Sequence, residues 1–257
     1  MQLPYQMERS VVIQATPETV FAFFSDSARW AKWWGAGSTI EARCGGKVYI
    51  RHPNGIETLG EVLEVEPARR IVFTYGFSSG KPIPLGGSRV TISLEACAAG
   101  TRLHLVHEFS DAVQSDHHVQ GWRFQLSVFA NVVADEVFAG AAQVADLWFE
   151  AFAISDDRLR GEAFGKIVAP DVSFRDRWSL LSGVADLSSH AGASQKFMPG
   201  IRMRRQGDAR QCQGMVIADW IALDREGKER MGGSNVFVLG PDGRIQSATG
   251  FARLPGA

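Results

Sequence analysis

The chain has 257 residues, of which 45% are hydrophobic and 21% are charged. This composition is typical of a globular protein with enough apolar material for two domains of ordinary size. Lysine and arginine total 27 against 28 aspartate and glutamate residues, so the net charge is −1. A chain this close to neutrality lacks the basic field that nucleic acids and anionic membranes attract, and we expect neither as a partner. No apolar run approaches the roughly 20 residues of a membrane-spanning helix.

Cysteine usage and the N-terminal residues indicate a cytoplasmic protein. Cys44, Cys97 and Cys212 stand far apart and lack the spacing of metal ligands, so we expect reduced structural thiols. The first residues also lack the charged-then-apolar pattern of a secretion signal. No glycine-rich phosphate loop with its lysine and no nucleophile elbow is found. The sequence therefore implies no cofactor and no metal site.

The first half of the chain predicts a strand, a helix, a run of short strands and a long closing helix. Residues 8–14 are β-branched and apolar, which is typical of a strand. Thr16 is a good N-cap, and proline and glutamate follow it, so we predict one helix from there to Trp34. Alternating runs separated by turn residues then predict an antiparallel meander. These runs are 39–43, 47–52, 57–66, 70–77, 88–96 and 101–109. Residues 117–138 carry apolar side chains at helical intervals.

The second half predicts helices followed by a long antiparallel sheet. The segment AGAA interrupts the helical pattern, so we expect one domain at residues 1–139 and another at residues 140–257. Two helices follow, VADLWFEAFA and one that begins after SDD and ends at APD. A strand at 172–178 and a short helix within 183–198 come next. The closing strands, separated by turn sequences such as DREGK and GPDGR, are 201–207, 210–224, 229–239 and 244–252. Each half therefore predicts an α+β fold.

Five stretches of the first half carry a family resemblance. They are ATPETVFAFFSDSARWAKWWG, RCGGKVYIRHPNG, GEVLEVEPARRIVFTYGF, SRVTISLEACAAGTRLHLVHEF and GWRFQLSVFANVV. In this order they resemble the bacterial proteins named after the activator of heat-shock protein 90 ATPase, within the START/Bet v 1-like (SRPBCC) superfamily. The resemblance implies a helix-grip fold, in which a curved sheet leans on a long helix and leaves a pocket. A co-chaperone role is a lesser alternative, because the eukaryotic activators use a separate N-terminal domain to bind the chaperone.

The second half resembles a different superfamily. The segments VADLWFEAFAISDD, APDVSFRDRW and WIALDREGKERMGGSNVFVLGPDGRIQSATGF resemble the SnoaL-like branch of the nuclear transport factor 2 superfamily. That resemblance implies a cone-shaped α+β barrel that commonly dimerises through its sheet. We therefore expect a homodimer, with Val216, Trp220 and Val236 as candidate residues of the apolar patch. Both superfamilies include binding proteins, cyclases and isomerases, so the fold alone does not fix the function.

Candidate residues of the first pocket are mostly aromatic. Trp30 and Trp34 are four residues apart and share a helix face, where they either seal the core or roof the pocket mouth. His107 alternates with leucines on a strand, and an inward histidine is more often a hydrogen-bonded core residue than a catalyst. The remaining candidates for ligand contact are His52, Tyr75, Phe77, Trp122 and Leu126.

Asp176 is the main catalytic candidate. In VSFRDRW it shares a strand face with Phe174 and Trp178, and burial there would raise its pKa and suit it to proton transfer. The resemblance implies the same role, since the matching aspartate of ketosteroid isomerases is the general base. Their catalytic tyrosine, however, aligns with Trp148, whose N–H donates a hydrogen bond but does not titrate near neutrality. The alternative for Asp176 is an ion pair with a neighbouring arginine or a strand-end cap.

A second polar group and an apolar lining complete the second pocket. The candidate partners of Asp176 in acid–base chemistry are His190, Asp219 and Asn235, with His190 as the second catalytic candidate. The expected ligand-contact residues are Trp148, Phe152, Phe174, Trp178, Phe197, Trp220, Asn235 and Phe237. The sequence thus predicts a protein that binds small hydrophobic molecules in one or two pockets, as an accessory of bacterial stress responses or secondary metabolism. The alternatives are a cofactor-free cyclase, isomerase or hydratase that uses Asp176, and a dimerising interaction module.

Overall fold

The computed structural model describes residues 2–253. These residues divide after Ala134 into two compact units. Each unit combines helices with one sheet, so the predicted α+β class is confirmed. The domain boundary predicted after residue 139 stays a prediction, because the division by contacts falls inside the helix Ala112–Val137. No single helix of residues 2–253 is long and apolar enough to cross a membrane; only the bent pair Ala112–Val137 and Ala141–Ala151 passes that test together.

The first unit is one antiparallel sheet with three helices. Its elements are β1 (Tyr5–Ile13), α1 (Pro17–Ser25), α2 (Ser27–Trp34), β2 (Thr39–Ile40), β3 (Lys47–Arg51), β4 (Glu57–Glu66), β5 (Arg70–Phe77), β6 (Ser88–Cys97), β7 (Gly100–Phe109) and α3 (Ala112–Val137). The strand order is β1-β7-β6-β5-β4-β3-β2, and every neighbouring pair is antiparallel. The predicted meander is therefore confirmed, with β1 added beside its last strand.

The single helix predicted from Thr16 to Trp34 is wrong, because Asp26 divides it. The Asp26 N–H donates to the carbonyl of Ala22 at 3.0 Å and ends α1. Its carboxylate accepts the N–H of Arg29 at 2.8 Å and begins α2. An aspartate side chain competes in this way with the helical backbone and favours a cap over a helix interior. The two helices are therefore separate elements, which the apolar periodicity alone does not reveal.

Aromatic rings fill the space between the helices and sheet of the first unit. Leu103, Leu105 and His107 all point inward from β7, as the alternation predicts. Phe129 of α3 packs its ring 4.9 Å from that of Phe24 and completes the contact between α3 and α1. The buried leucines and phenylalanines among them contribute roughly 1.5–3 kcal/mol each when removed from water.

The second unit places three helices against a six-stranded sheet. Its elements are α4 (Ala141–Ala151), α5 (Asp157–Ile167), β8 (Val168–Arg175), β9 (Leu180–Ser182), α6 (Gly183–Phe197), β10 (Arg202–Cys212), β11 (Met215–Leu223), β12 (Glu229–Leu239) and β13 (Ile245–Arg253). The strand order is β10-β11-β12-β13-β8-β9. The expectation of a wholly antiparallel sheet is corrected, because β13 pairs with β8 in parallel.

Two strand boundaries differ from those predicted. The sequence APD lies inside β8, and this strand stops at Arg175, so Asp176 follows the strand. β10 continues to Cys212 through a register shift between Gln206 and Arg210. The predicted break near Gly207 is thus a bulge, since a glycine with positive φ serves a bulge as readily as a turn.

The inner and outer faces of this sheet also correct one expectation. Val216 and Trp220 are buried on the inner face, whereas Val236 lies half-buried on the outer face. The first two therefore cannot belong to an outward apolar patch, because successive strand residues point to opposite faces. The homodimer itself stays a prediction.

Candidate functional site

A cavity of about 250 Å³ lies in the second unit, on the inner face of the sheet. Its walls come from α4, α6 and strands β8 and β10 to β13. The predicted residues on these walls are Trp148, Phe152, Phe174, Asp176, Trp178, His190, Phe197, Trp220 and Asn235. Trp178 and Phe197 are exposed, so they form its rim. The structure therefore brings both catalytic candidates and most of the ligand contacts predicted for the second unit to one place.

Phe237 is the predicted residue of this unit that lies outside the cavity wall. It is buried behind Trp148, with ring centroids 5.4 Å apart. The wall also contains residues outside the predicted set, among them Met203, Ala222 and Met231. They are direct cross-strand neighbours on β10, β11 and β12. Alternation with Trp220 on β11 was the available signal, but only the strand register shows that they meet.

Asp176 sits in a tight turn directly after β8. Its carboxylate accepts the N–H of Trp178 at 2.8 Å, and its own N–H donates to the carbonyl of Ser179 at 3.0 Å. Among residues 2–253 it forms no ion pair with the adjacent arginines. Of the two alternatives to catalysis, an ion pair and a strand-end cap, the structure therefore shows the cap. One face of the half-buried side chain still borders the cavity.

A glycine brings Asp176 and Asn235 close together. A Cβ atom at Gly250 would lie 3.3 Å from the Cβ of Asp176 and 3.3 Å from the Oδ1 of Asn235. That oxygen accepts the indole N–H of Trp220 at 3.0 Å, which fixes the orientation of the amide. A side chain at position 250 would therefore separate the carboxylate from the amide.

His190 borders the same end of the cavity from α6. Its Nδ1 lies 3.3 Å from the hydroxyl oxygen of Ser179, and its ring packs 5.8 Å from that of Phe174. Burial lowers the pKa of His190, while the charge of Asp176 opposes this shift. The net lowering keeps the imidazole neutral near pH 7, so it is able to accept one proton and to donate another.

Trp148 presents an unusual buried donor at the cavity. Its side chain is fully buried, and its Nε1–H has no hydrogen-bond partner within residues 2–253. An indole N–H is a donor only, and leaving such a group buried and unpaired costs about 1–3 kcal/mol. A ligand oxygen that reached this N–H after a small ring movement would recover that free energy.

A second cavity, of about 430 Å³, lies in the first unit between α2, α3 and the end of β3. Four predicted residues line it: Trp34, His52, Tyr75 and Trp122. The Nε1 of Trp34 and the Nε2 of His52 are buried without hydrogen-bond partners among the described residues. Burial lowers the pKa of His52 and raises the pKa of Tyr75 to about 12, so both side chains are neutral at pH 7.

The other candidates of the first unit lie away from this second cavity. Trp30 is fully buried and donates its Nε1–H to the carbonyl of Tyr49 at 3.3 Å. Leu126 is buried on α3, and Phe77 is half-buried beside Tyr75. The geometry places these three residues in the core or beside it rather than on the wall.

His107 lies within a continuous series of buried hydrogen bonds. The indole N–H of Trp122 donates to its Nδ1 at 2.9 Å, and its Nε2 lies 2.8 Å from the hydroxyl of Ser88. That hydroxyl in turn donates to the carbonyl of Tyr75 at 2.8 Å. Since Nδ1 accepts, Nε2 carries the proton and donates to Ser88. Of the two roles considered, a hydrogen-bonded core residue is the one that this geometry fits.

No group of three or more histidine, cysteine, aspartate or glutamate residues within 2–253 is placed to hold a metal ion. The polar groups named so far at the cavity of the second unit are Asp176, His190, Asn235 and the N–H of Trp148. A carboxylate beside a neutral imidazole and an unpaired N–H suits proton transfer on a bound apolar molecule. It suits orientation of a ligand oxygen equally well.

Comparison with known proteins gives a family for the first unit. Residues 14–134 match the family described as activator of Hsp90 ATPase homolog 1-like protein. These residues therefore form a domain of the AHSA1-like type, as their sequence resemblance implies. A comparison with curated proteins finds no match.

Three solved structures illustrate what this chain is similar to. The AHSA1 protein from Silicibacter pomeroyi is 28% identical, with 51% of this chain and 99% of that chain covered and a TM-score of 0.43. The Aha1 dimer from Colwellia psychrerythraea is 16% identical, with 50% and 96% covered and a TM-score of 0.43. A SnoaL-like family protein from Agrobacterium tumefaciens is 21% identical, with 44% and 96% covered and a TM-score of 0.42.

Proposed function

We propose that this chain binds a small, largely apolar molecule in the cavity of its second unit, which we take to be a SnoaL-like domain. The observation that supports this most is the cavity itself, about 250 Å³ in volume and walled by aromatic and methionine side chains. Ligand sites are typically apolar concavities with a few placed polar groups. Here those groups are the Trp148 N–H, His190 and the pair Asp176 and Asn235.

The polar groups favour a ligand that carries an oxygen. The indole N–H of Trp148 requires an acceptor, which a carbonyl or hydroxyl oxygen supplies. Asn235 holds its Oδ1 toward Trp220, and its amide N–H groups remain as donors. The apolar walls contribute most of the binding free energy, and these few donors select the orientation of the ligand. An accessory role in bacterial stress or secondary metabolism is compatible with such a binder.

A matched pair of helix variants tests this proposal. We expect the fluorescent neutral probe 1-anilinonaphthalene to bind the full chain, and Ser194→Phe to weaken binding at least tenfold because a phenyl ring then occupies the cavity. Ser189→Phe makes the same change on an exposed position of α6 and should leave the affinity unchanged. Fluorescence titration, with thermal midpoints as a check of folding, measures both. Equal affinities for the two variants would contradict the proposal.

The cavity of the first unit is proposed as a second site for a neutral aromatic ligand. Trp34, Tyr75 and Trp122 supply flat apolar walls, and no arginine, lysine, aspartate or glutamate lines it. We expect binding at this second site to persist in the Ser194→Phe variant, which distinguishes it from binding in the cavity of the second unit.

A second candidate function is cofactor-free isomerisation, cyclisation or hydration. The observation that favours it is the placement of Asp176 beside Asn235 and His190 at one end of an apolar cavity. In this scheme the Asp176 carboxylate removes a proton from a carbon next to a carbonyl, and the Trp148 N–H donates to the carbonyl oxygen as negative charge develops there. The proton then returns to the same or a neighbouring carbon, through His190 or Asp176.

Hydrogen exchange in a simple ketone tests the catalytic candidate. We expect the chain to accelerate exchange of the α-hydrogens of β-tetralone in deuterium oxide, followed by NMR, and Asp176→Asn to slow it by about 10²-fold or more, since a general base contributes that much. Asp171→Asn removes an exposed carboxylate of β8, the strand that Asp176 follows, and should have no effect. Exchange at the same rate in the wild type and in Asp176→Asn would exclude Asp176 as the base.

A further inference from the structure

A groove of about 710 Å³ runs along β10, the edge strand of the second sheet. Three arginines line it: Arg202 and Arg204 from β10, and Arg225 from the turn between β11 and β12. Arg202 and Arg204 are two residues apart on a strand, so they project from the same face, roughly 7 Å apart. The chain as a whole has a net charge of −1, so this groove is a local excess of positive charge.

No free carboxylate neutralises these arginines within the groove. Its one acidic residue is Asp224. The carboxylate of Asp224 accepts the Nε–H of Arg230 at 2.6 Å and the backbone N–H of Lys228 at 2.9 Å. The backbone hydrogen bond from Lys228 is the largest of the effects that lower the pKa of Asp224, so it stays ionised and engaged. Arg205, the next residue of β10, differs in being paired with Asp146 at 2.8 Å.

The position of Arg225 depends on a glycine. Gly200 has a φ of +82°, and a Cβ atom there would lie 2.7 Å from the Cγ of Arg225. Any other residue at position 200 would both strain the backbone and displace the arginine side chain. The turn therefore holds this third guanidinium close to the loop that precedes β10.

The groove borders the apolar cavity of the second unit. Gln195, Ile201 and Met203 line both spaces. Met203 pairs directly with Ala222 on β11, another residue of the cavity wall. Arg202 and Arg204 project from the face of β10 opposite to Met203, so a molecule that contacts the apolar walls would reach them round the free edge of this strand.

The end of the cavity at Asp176 lies toward the opposite edge of the sheet from β10. Asp176 follows β8, and Gly250 beside it is on β13. β8 stands four strands away from β10 in the sheet order, and neighbouring strands are about 4.8 Å apart. A negative group bound by the arginines would thus not lie against the Asp176 carboxylate. The two ends of the site differ in charge and select opposite ends of a ligand.

We propose that the ligand of this site is an amphipathic organic anion, with its apolar body in the cavity and its oxyanion group in the groove at Arg202, Arg204 and Arg225. The planar fork of a guanidinium matches the oxygens of a carboxylate, sulfonate or phosphate, which accept two parallel hydrogen bonds from it. This inference rests on the proposed binding function, because it assigns the ligand class of that same cavity.

Two probes of the same shape test the assignment on the full chain. The anion 8-anilino-1-naphthalenesulfonate carries a sulfonate that neutral 1-anilinonaphthalene lacks. We expect the anion to bind about tenfold more tightly at low ionic strength, and the difference to shrink as salt is added, because partly exposed ion pairs are screened. The binding that Ser194→Phe removes is assigned to this site. Binding that remains in this variant occurs elsewhere in the chain.

Charge-removing variants locate the anion. Arg202→Gln combined with Arg204→Gln should reduce the affinity for the anion about tenfold and leave that for the neutral probe unchanged, and Arg225→Gln should act in the same direction. Arg210→Gln makes the same change on β10 outside the groove and should have no effect. Thermal midpoints check that the variants fold.

The outcomes separate this inference from the function on which it rests. Equal affinity for the two probes, or an unchanged preference for the anion in both groove variants, overturns the anionic class while the binding function stands. If Ser194→Phe removes no binding of either probe, both the anionic ligand class and the proposed binding function are overturned. Displacement of the sulfonate probe by naphthylacetate or by decanoate supports the assignment and tells whether the apolar body is a ring or a chain.

Discussion

Replacing Arg160 with methionine is expected to lower the free energy of unfolding of the second unit by about 2–5 kcal/mol. Arg160 lies on α5 and is 2% exposed. Its Nε–H donates to the carbonyl of Ser188 at 2.8 Å, and its Nη1 donates to that of Ile154 at 2.8 Å. Methionine fills much of the same volume but cannot donate to either carbonyl, and a hydrogen bond from a charged donor contributes about 1.5–3 kcal/mol.

The guanidinium also sets the packing of α5 against α6. A Cβ atom at Gly192 of α6 would lie 2.9 Å from the Cζ of Arg160. We therefore expect Gly192→Ala to displace the guanidinium and to destabilise the unit by the same route. Arg160→Lys is not a rescue, because a single ammonium cannot span carbonyls that the planar fork reaches together.

Urea unfolding followed by tryptophan fluorescence measures the effect of these changes. Arg158→Met is the matched control on the same helix: Arg158 is exposed and pairs with Glu162 at 2.6 Å, four residues on. Such a surface pair contributes only about 0.3–0.5 kcal/mol. If Arg160→Met were as stable as Arg158→Met, the buried guanidinium would not be a structural centre of this unit.

The first unit is expected to lose stability steeply as the pH falls below 6.5. Burial is the largest cause that lowers the pKa of His52, His107 and His118, for His107 well below the ordinary 6.5. In the unfolded chain these histidines regain that ordinary value. Above pH 6.5 both states are neutral and the full stability is present. Below it the unfolded state takes up protons first, so the free energy of unfolding decreases.

The slope of this loss has an upper limit. Each histidine that binds a proton on unfolding lowers the free energy of unfolding by at most about 1.4 kcal/mol per pH unit. His107 contributes most directly, because a proton on Nδ1 would break its hydrogen bond from Trp122. Thermal unfolding between pH 7.5 and pH 5.5 measures the combined slope. A midpoint that did not change over this range would contradict buried neutral histidines.

A pair of histidine variants assigns the effect. His107→Leu removes the titrating group and leaves the Trp122 N–H and the Ser88 hydroxyl without their partner, so we expect about 2–4 kcal/mol less stability at pH 7.5 and a flatter pH dependence. His117→Leu changes an exposed residue one turn before Gly121 on α3 and should leave the stability at pH 7.5 nearly unchanged.

Local sequence patterns predicted most of the secondary structure. The N-cap of α1 and the strands of the meander follow from neighbouring residues alone, because capping and alternation are properties of short segments. The break at Asp26 shows the limit of this approach. Apolar spacing runs through that aspartate without interruption, and only the hydrogen bonds to Ala22 and Arg29 show that its backbone ends one helix while its side chain begins the next.

The candidate site was predicted in part for the same reason. Alternation around Phe174 and Trp220 correctly indicated which side chains face inward. It did not indicate that Asp176 and Asn235 both lie beside Gly250, because that arrangement requires β13 to pair in parallel with β8. Nor did it separate Trp34, on a cavity wall, from fully buried Trp30 on the same helix face.

The sequence by itself determined the helices, the strands and the inward positions of this protein, since periods of 2 and 3.6 residues are fixed by backbone geometry. The tertiary structure alone decided where inward side chains fill the interior and where they leave a cavity. It also decided that Arg202, Arg204 and Arg225 share one groove. The reason is that a cavity or a cluster of charges depends on how segments distant in the chain pack together, and no local pattern records those distances.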